Sequence, residues 1–187
     1  IIQAELTSAL TDTFDVSAAN GSETTIGRYS VLISNANGEN ELLITESGSG
    51  SLDGIEFGSA ATDGPYADVV LNSIDLGAQD DRATLIDETG TGAELILDGG
   101  GGTDDLNGNS HANHLILSGL NQGNLDQITF SNFENIDLAG GDDQVTIESG
   151  GGLSGILDGG AGQNGLIING SASYEIGSDG VIQVSTN

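Results

Sequence analysis

Ser73-Ile74-Asp75-Leu76-Gly77-Ala78-Gln79-Asp80-Asp81 returns later in the chain as Asn135-Ile136-Asp137-Leu138-Ala139-Gly140-Gly141-Asp142-Asp143. The segment Leu97-Asp98-Gly99-Gly100-Gly101-Gly102 returns in the same way as Leu157-Asp158-Gly159-Gly160-Ala161-Gly162. An internal repeat implies one structural unit that stacks on copies of itself, so the nature of that unit decides the fold. Each copy joins a short leucine- or isoleucine-containing run to an acidic, glycine-rich turn. Such a unit is a strand and a turn, with no helix between them.

Outward from this repeat, apolar clusters recur at roughly ten-residue spacing through the second half of the chain. They centre on Ile74, Leu85, Leu95 to Leu97, Leu106, Leu115 to Leu117, Ile128, Ile136 and Val145 to Ile147, and continue through Ile156 and Leu166 to Ile168. No segment keeps the 3.6-residue period that a helix needs. A second series lies between the clusters. Asp or Asn stands two residues before an apolar or small residue at Asp81, Asp104, Asp126, Asp143, Asn164 and Asp179. Its average step of about 20 residues is one acidic turn for every two strands, as in a coil of stacked turns. The expected fold is therefore all-β, a parallel β-solenoid (β-roll or β-helix) with about 20 residues per turn. Ten-residue strand spacing leaves two or three faces open.

Residues 1–65 are less regular. Phe14-Asp15-Val16, Tyr29 to Ile33 and Leu42 to Ile44 have strand character, and the segment reads as an N-terminal cap or as degenerate coils. The repeat region is expected over residues 66–187, with a soft boundary near residues 60 to 66. Stacked strands need their ends covered, and the apolar start Ile1-Ile2 with Leu6 to Leu10 is a candidate cover.

Composition narrows the function. Against 29 carboxylates there are only two arginines, Arg28 and Arg82, and no lysine, so the net charge is −27. Such a chain repels phosphate backbones and anionic membranes, which excludes nucleic acid as a partner. Acids stacked turn upon turn, about 4.8 Å apart, also repel one another. Divalent cations are the simplest neutralising agent. The 31 glycines against one proline suit tight turns. Absence of cysteine removes disulfides and thiol chemistry. No run reaches the roughly 18 apolar residues of a membrane helix, so no membrane insertion is expected. A chain that starts at Ile1 and lacks methionine is expected to be a processed mature chain or a piece of a longer one.

One stretch carries the chemistry. Gly99-Gly100-Gly101-Gly102-Thr103-Asp104-Asp105-Leu106 fits the nonapeptide G-G-x-G-x-D-x-U-x at every defined position. Gly159 to Leu166 fits with Asn164 in place of Asp, and Ala139 to Val145 keeps the later glycine, Asp143 and the apolar residue. Glycines let such a turn curl its carbonyl oxygens towards an ion, and the Asp adds a hard anionic oxygen. The residues nominated to face a cation are Asp81, Gly100, Gly102, Asp104, Asp126, Asp142, Asp143 and Asn164.

The chain resembles the haemolysin-type calcium-binding repeat proteins (the RTX-like group) and related large repetitive extracellular proteins of bacteria. The phrase Phe130-Ser131-Asn132-Phe133-Glu134-Asn135-Ile136-Asp137-Leu138, ahead of an acidic glycine turn, adds to the resemblance. The likeness spans about residues 69 to 170. It implies a parallel β-roll, calcium held by Asp104 and Asp143 with glycine carbonyls, and a location outside a bacterial cell or on its surface. In that family the nonapeptides run in unbroken tandem. Here the good matches are separated by degenerate segments.

Other constellations are weak. His111 and His114 lack a cysteine partner and read as polar loop residues. Acid pairs such as Asp80-Asp81 arise freely among so many carboxylates and do not specify a glycosidase. No nucleophile elbow, phosphate loop or zinc helix motif is present. The expected function is a non-enzymatic, extracellular structural or adhesive module stabilised by Ca2+. Head-to-tail self-association into a surface layer or filament, or attachment to cell-surface or matrix components, is the expected partnership. A secreted polysaccharide-active enzyme, or its accessory calcium module, is the alternative. A binding module for a neutral glycan or a host protein is neither supported nor excluded.

Overall fold

The computed structural model describes residues 5–7, 13–18, 28–33, 41–44, 50–52, 55–57, 70–86, 95–170, 173–176 and 182–185. Among the described residues the regular elements are strands, and no helix is long and apolar enough to cross a membrane. In chain order they are β1 (Glu5–Thr7), β2 (Thr13–Ala18), β3 (Arg28–Ile33), β4 (Glu41–Ile44), β5 (Gly50–Leu52), β6 (Ile55–Phe57), β7 (Val70–Asp75), β8 (Arg82–Leu85), β9 (Leu95–Asp98) and β10 (Asp105–Asn107). They continue with β11 (His114–Gly119), β12 (Gln122–Leu125), β13 (Ile128–Ser131), β14 (Asn135–Asp137), β15 (Gln144–Ile147), β16 (Leu157–Asp158), β17 (Gly165–Ile168), β18 (Ser173–Ile176) and β19 (Ile182–Ser185).

Period-two burial makes these strands. β8 buries Ala83 and Leu85, β9 buries Leu95 and Leu97 around an exposed Ile96, and β15 buries Val145 and Ile147. One face of each strand thus meets the core and the other meets water. The strands form a 10-stranded sheet, β1-β2-β3-β7-β9-β13-β12-β11-β15-β17, and a 9-stranded sheet, β18-β19-β16-β14-β10-β8-β4-β5-β6. Their buried side chains make one cluster, drawn from both sheets, that includes Ile74, Leu97, Leu106, Leu117, Ile136 and Ile147. Phe130 and Phe133 meet edge to face within it at 6.3 Å.

From β7 to β11, and again from β13 to β17, the chain crosses to the other sheet after every strand. The strands that become neighbours this way run parallel, as in β8–β10–β14–β16. Several of the crossings are short acidic turns, as at residues 76–81, 99–104 and 138–143, and these turns stack on neighbouring ones at the edges where the chain leaves one sheet for the other.

The expected parallel β-solenoid of about 20 residues per turn is overturned: both sheets are mixed. β11, β12 and β13 pair antiparallel in succession, and so do β1–β2–β3, β4–β5–β6 and β16–β19–β18. The step between stacked turns is also uneven, at 23, 30 and 21 residues. The step of 30 comes from two reversals within one sheet, at Leu120-Asn121 and at Asp126. Leu125 and Ile128 are direct antiparallel partners, and Asp126 sits between them at φ 53°. Asp126-Gln127 therefore reverses the chain within one sheet and does not carry it across to the other. Spacing along the sequence does not distinguish these two kinds of turn.

The expected boundary at residues 60 to 66 lies outside the described residues, as do Ile1-Ile2 and Asp179. Two strands of the first 65 residues join the later sheets directly. β3 runs parallel to β7, and β4 runs parallel to β8 with Leu42 opposite Ala83.

The β12–β13 hairpin is open to a direct check. Asn124 and Thr129 are antiparallel partners, and their side chains touch at 3.0 Å. An Asn124→Cys/Thr129→Cys variant, in a chain with no other cysteine, is expected to close an intramolecular disulfide under mild oxidation. Mass spectrometry reads it as the loss of two hydrogens. Free thiols persisting in the folded protein would refute this register.

Candidate functional site

The turns are built from the strand ends outward. Asp75, Asp98, Asp137 and Asp158 each close a strand, and each Oδ1 accepts the N–H two residues further on, at 3.0, 3.1, 2.8 and 2.8 Å. The residues so captured are Gly77, Gly100, Ala139 and Gly160, all at positive φ. The recurrent Asp-x-Gly of the repeat is thus an Asx-turn that bends the chain out of the sheet. Turns stacked at strand distance leave no room for side chains at their inner corners. A Cβ on Gly100 would fall onto the carbonyl oxygen of Gly77, and one on Gly102 onto that of Gln79. These two glycines, nominated as cation ligands, are required by stacking alone.

The last residue of each turn makes the link to its neighbour. Where the chain leaves the 10-stranded sheet, Asp81 N–H donates to Asp104 Oδ1 at 2.7 Å, and Asp104 N–H donates to Glu134 Oε2 at 2.9 Å. Where the chain returns, Asn113 N–H donates to Asp143 Oδ1 at 2.8 Å, and Asp143 N–H donates to Asn164 Oδ1 at 3.0 Å. In both columns a side-chain oxygen reaches back to the backbone of the preceding turn. The preceding acid reaches forward: Asp80 Oδ1 accepts Thr103 N–H at 2.8 Å, and Asp142 Oδ1 accepts Gln163 N–H at 2.9 Å. Asp142-Asp143 is therefore a two-way stitch between turns. In it, as in Asp80-Asp81, the first member is exposed and the second is buried.

Burial gives the second member its chemistry. Asp104 is 0% exposed and Asp143 is 2% exposed, and the Oδ2 atom of each has no hydrogen-bond partner. Asn164 shows what the position asks for. Its Nδ2 occupies the equivalent place and donates to the carbonyl oxygens of Gly159 and Gly160, at 2.7 and 3.4 Å. Asn113 Nδ2 likewise donates to the carbonyl oxygens of Asn109, His111 and Leu138. An amide fills the place with a donor. An ionised carboxylate presents an acceptor where the stacked turns already offer carbonyl oxygens, a costly arrangement in a dry site. Burial accordingly pushes the Asp104 carboxyl up to about 7. The Asp81 N–H opposes that rise, and the charges of Asp81, Glu134 and Asp80 add to it.

The nominated residues divide into separate groups and do not form one column. Asp81, Gly100, Gly102 and Asp104 share one edge of the fold; Asp142, Asp143 and Asn164 share the other. Asp126 belongs to the hairpin turn. Its Oδ1 accepts His114 N–H at 2.8 Å, and burial raises its pKa, with the Asp143 charge acting in the same direction. Glu134 and Asn113 complete the two columns and were not nominated. The signal for them exists: Glu134-Asn135-Ile136 and Asn113-His114-Leu115 repeat the polar-x-apolar pattern 30 residues from Asp104 and Asp143. Among the described residues no three carboxylates or imidazoles converge into a ready-made metal centre. The exposed Arg82 pairs with Asp105 at 3.0 Å on the outer face of the 9-stranded sheet.

No protein-family model, curated protein or solved structure matches the chain.

The raised Asp104 pKa has a definite sign in stability. The unfolded carboxyl ionises near its ordinary value of 3.8, and the native one at about 7. Between these values the native state binds more protons than the unfolded state, so stability falls as pH rises through the window and levels off above it. In chelator-treated protein, Asp104→Asn is expected to flatten this slope and to raise the Tm at pH 7 by several degrees, as read by thermal melts from pH 4 to 8. Parallel wild-type and variant profiles would show that Asp104 ionises normally.

Proposed function

We propose that the chain is a non-enzymatic structural module of the bacterial cell exterior whose stacked turns take up calcium. The observation that carries this reading is the pair of buried, partnerless oxygens Asp104 Oδ2 and Asp143 Oδ2 in a chain of net charge −27. Asn113 and Asn164, the turn-ending residues before and after Asp143 in its column, use their Nδ2 to donate to turn carbonyls. Burial pushes the Asp104 carboxyl up to about 7, so a proton or a cation is what satisfies it there.

The donor set fits a hard cation of flexible geometry. Calcium takes about six to eight oxygens and accepts backbone carbonyls and water among them, whereas magnesium demands a near-ideal octahedron and dehydrates reluctantly. Asp104 with Asp81 would supply carboxylate at one edge, and Asp143 would do so at the other. Glycine-turn carbonyls and water would complete each shell. With no cluster of three acids among the described residues, such sites are weak, as suits surroundings where calcium is millimolar. The likeness of Gly99 to Leu106 to the calcium-binding nonapeptide points the same way. The bound ion would act structurally, by relieving repulsion between turns. Its expected partners are other copies of the chain, or surface and matrix components.

Thermal unfolding of chelated protein, titrated with calcium and separately with magnesium, is the test. Calcium at about a hundred times Kd adds about 2.7 kcal/mol per site, or roughly 5–10 °C in Tm for a chain of this size. An Asp104→Asn/Asp143→Asn variant is expected to start at a higher Tm in chelator and to gain little from calcium. A wild-type Tm indifferent to calcium would refute the reading.

A further inference from the structure

The parallel part of each sheet has two ends, and three of the four are finished in the same way. β3 is followed outward by antiparallel β2, β4 by antiparallel β5, and β16 by antiparallel β19. The fourth end is β17. It runs parallel to β15 on one side, and among the described residues no strand lies beyond it. Gly165 and Asn169 donate their N–H groups inward, to the Asp143 and Ile147 carbonyls at 2.8 Å each. By the alternation of a strand, the N–H and C=O groups of Leu166 and Ile168 therefore point outward, away from β15.

This edge is unlike the rest of the molecule. Gly165-Leu166-Ile167-Ile168-Asn169 carries no charge in a chain of net charge −27. It also lacks the devices that protect an edge: a lysine, a proline or a bulge. Ile167 is 43% exposed on the outer face. Leu166 and Ile168 pack against the core but are only partly buried.

We propose that β17 is a self-pairing edge, at which two copies of the chain join Gly165–Ile168 antiparallel across a two-fold axis and continue the 10-stranded sheet from one molecule into the other. The register follows from the outward groups. With Ile167 on the axis, Leu166 of one copy and Ile168 of the other exchange both of their hydrogen bonds, twice by symmetry. On the core side Leu166 then meets Ile168, completing the burial that each lacks. On the outer face the two Ile167 side chains form the close, non-hydrogen-bonded pair. The pattern is self-complementary, as a two-fold interface requires. A second copy is the occupant because the outward groups and side chains of Gly165–Ile168 complement themselves in this register, and the strand brings no carboxylate to the seam. A single strand pair buries less than a standard interface, so the dimer forms reversibly in the micromolar range. The pairing does not depend on cation binding in the turns.

Light scattering after size exclusion, over a micromolar concentration series with and without calcium, tests it on the whole chain. The expected result is a concentration-dependent dimer, with the amides of Leu166 and Ile168 becoming protected from hydrogen exchange as it forms. Ile167→Asp places two carboxylates side by side and is expected to weaken the dimer about tenfold or more. Ile167→Thr, β-branched and uncharged, is expected to retain it. Circular dichroism confirms that both variants fold. A monomer at every concentration, a dimer indifferent to Ile167→Asp, or open-ended polymers would each overturn the two-fold pairing.

Discussion

Four of the stacked turns end on a buried residue, Asp81, Asp104, Asn113 or Asp143, whose backbone N–H its own turn does not satisfy. Among the turns described, the N–H groups of Asp81, Asp104, Asn113 and Asp143 are each received by a side-chain oxygen of the next turn in the stack. A buried N–H left without a partner is expensive, so the residue type at this place is nearly fixed. It has to be an oxygen-bearing side chain of the right reach, which explains the recurrence of Asp, Asn and once Glu. The tight stacking that makes this reach possible also excludes side chains at the inner corners, where Gly100 and Gly102 stand. The acidic, glycine-rich character of the turns is therefore first a consequence of how turns stack.

Charge enters through the second oxygen. Asn uses its amide nitrogen there to satisfy carbonyls, as Asn113 and Asn164 do. Asp104 and Asp143 have nothing to donate unless protonated. The same stitch that holds the turns together thus leaves Asp104 Oδ2 and Asp143 Oδ2 buried without a hydrogen-bond partner. The chain carries hardly any cationic side chains with which to balance them. Arg82 is committed to an exposed pairing with Asp105, where the gain is small. A proton or a divalent ion is the remaining means of neutralisation, and a buried carboxyl that titrates at about 7 already favours the proton.

Much of the architecture was legible from local pattern. The short apolar runs became strands where the alternation was clean, as in Asp143-Gln144-Val145-Thr146-Ile147, and the Asp-x-Gly units became turns. The reversal that breaks the expected uniform coil was not legible, because Asp126-Gln127 has the same local chemistry as the crossing turns. Only the pairing of Leu125 with Ile128 shows that the chain reverses there. Asn113 was obscured by the histidines beside it, and Glu134 by being one methylene longer than the Asp that the pattern sought. Both occupy their places through register with distant strands, Asp105 with Asn135 and His114 with Gln144. That register is set by packing of Leu106 on Ile136 and of Leu115 on Val145, which spacing alone does not encode.

The ionisation of Asp104 itself is the most direct measurement. Carboxyl carbon chemical shifts of labelled protein, followed through a pH titration with chelator and again with calcium, report it without reference to unfolding. The expected result is titration at about 7 in chelator and a carboxylate held ionised to much lower pH in calcium. Titration near pH 4 in both conditions would mean that water or a rearranged turn satisfies Asp104 Oδ2, and the need for a cation would be gone.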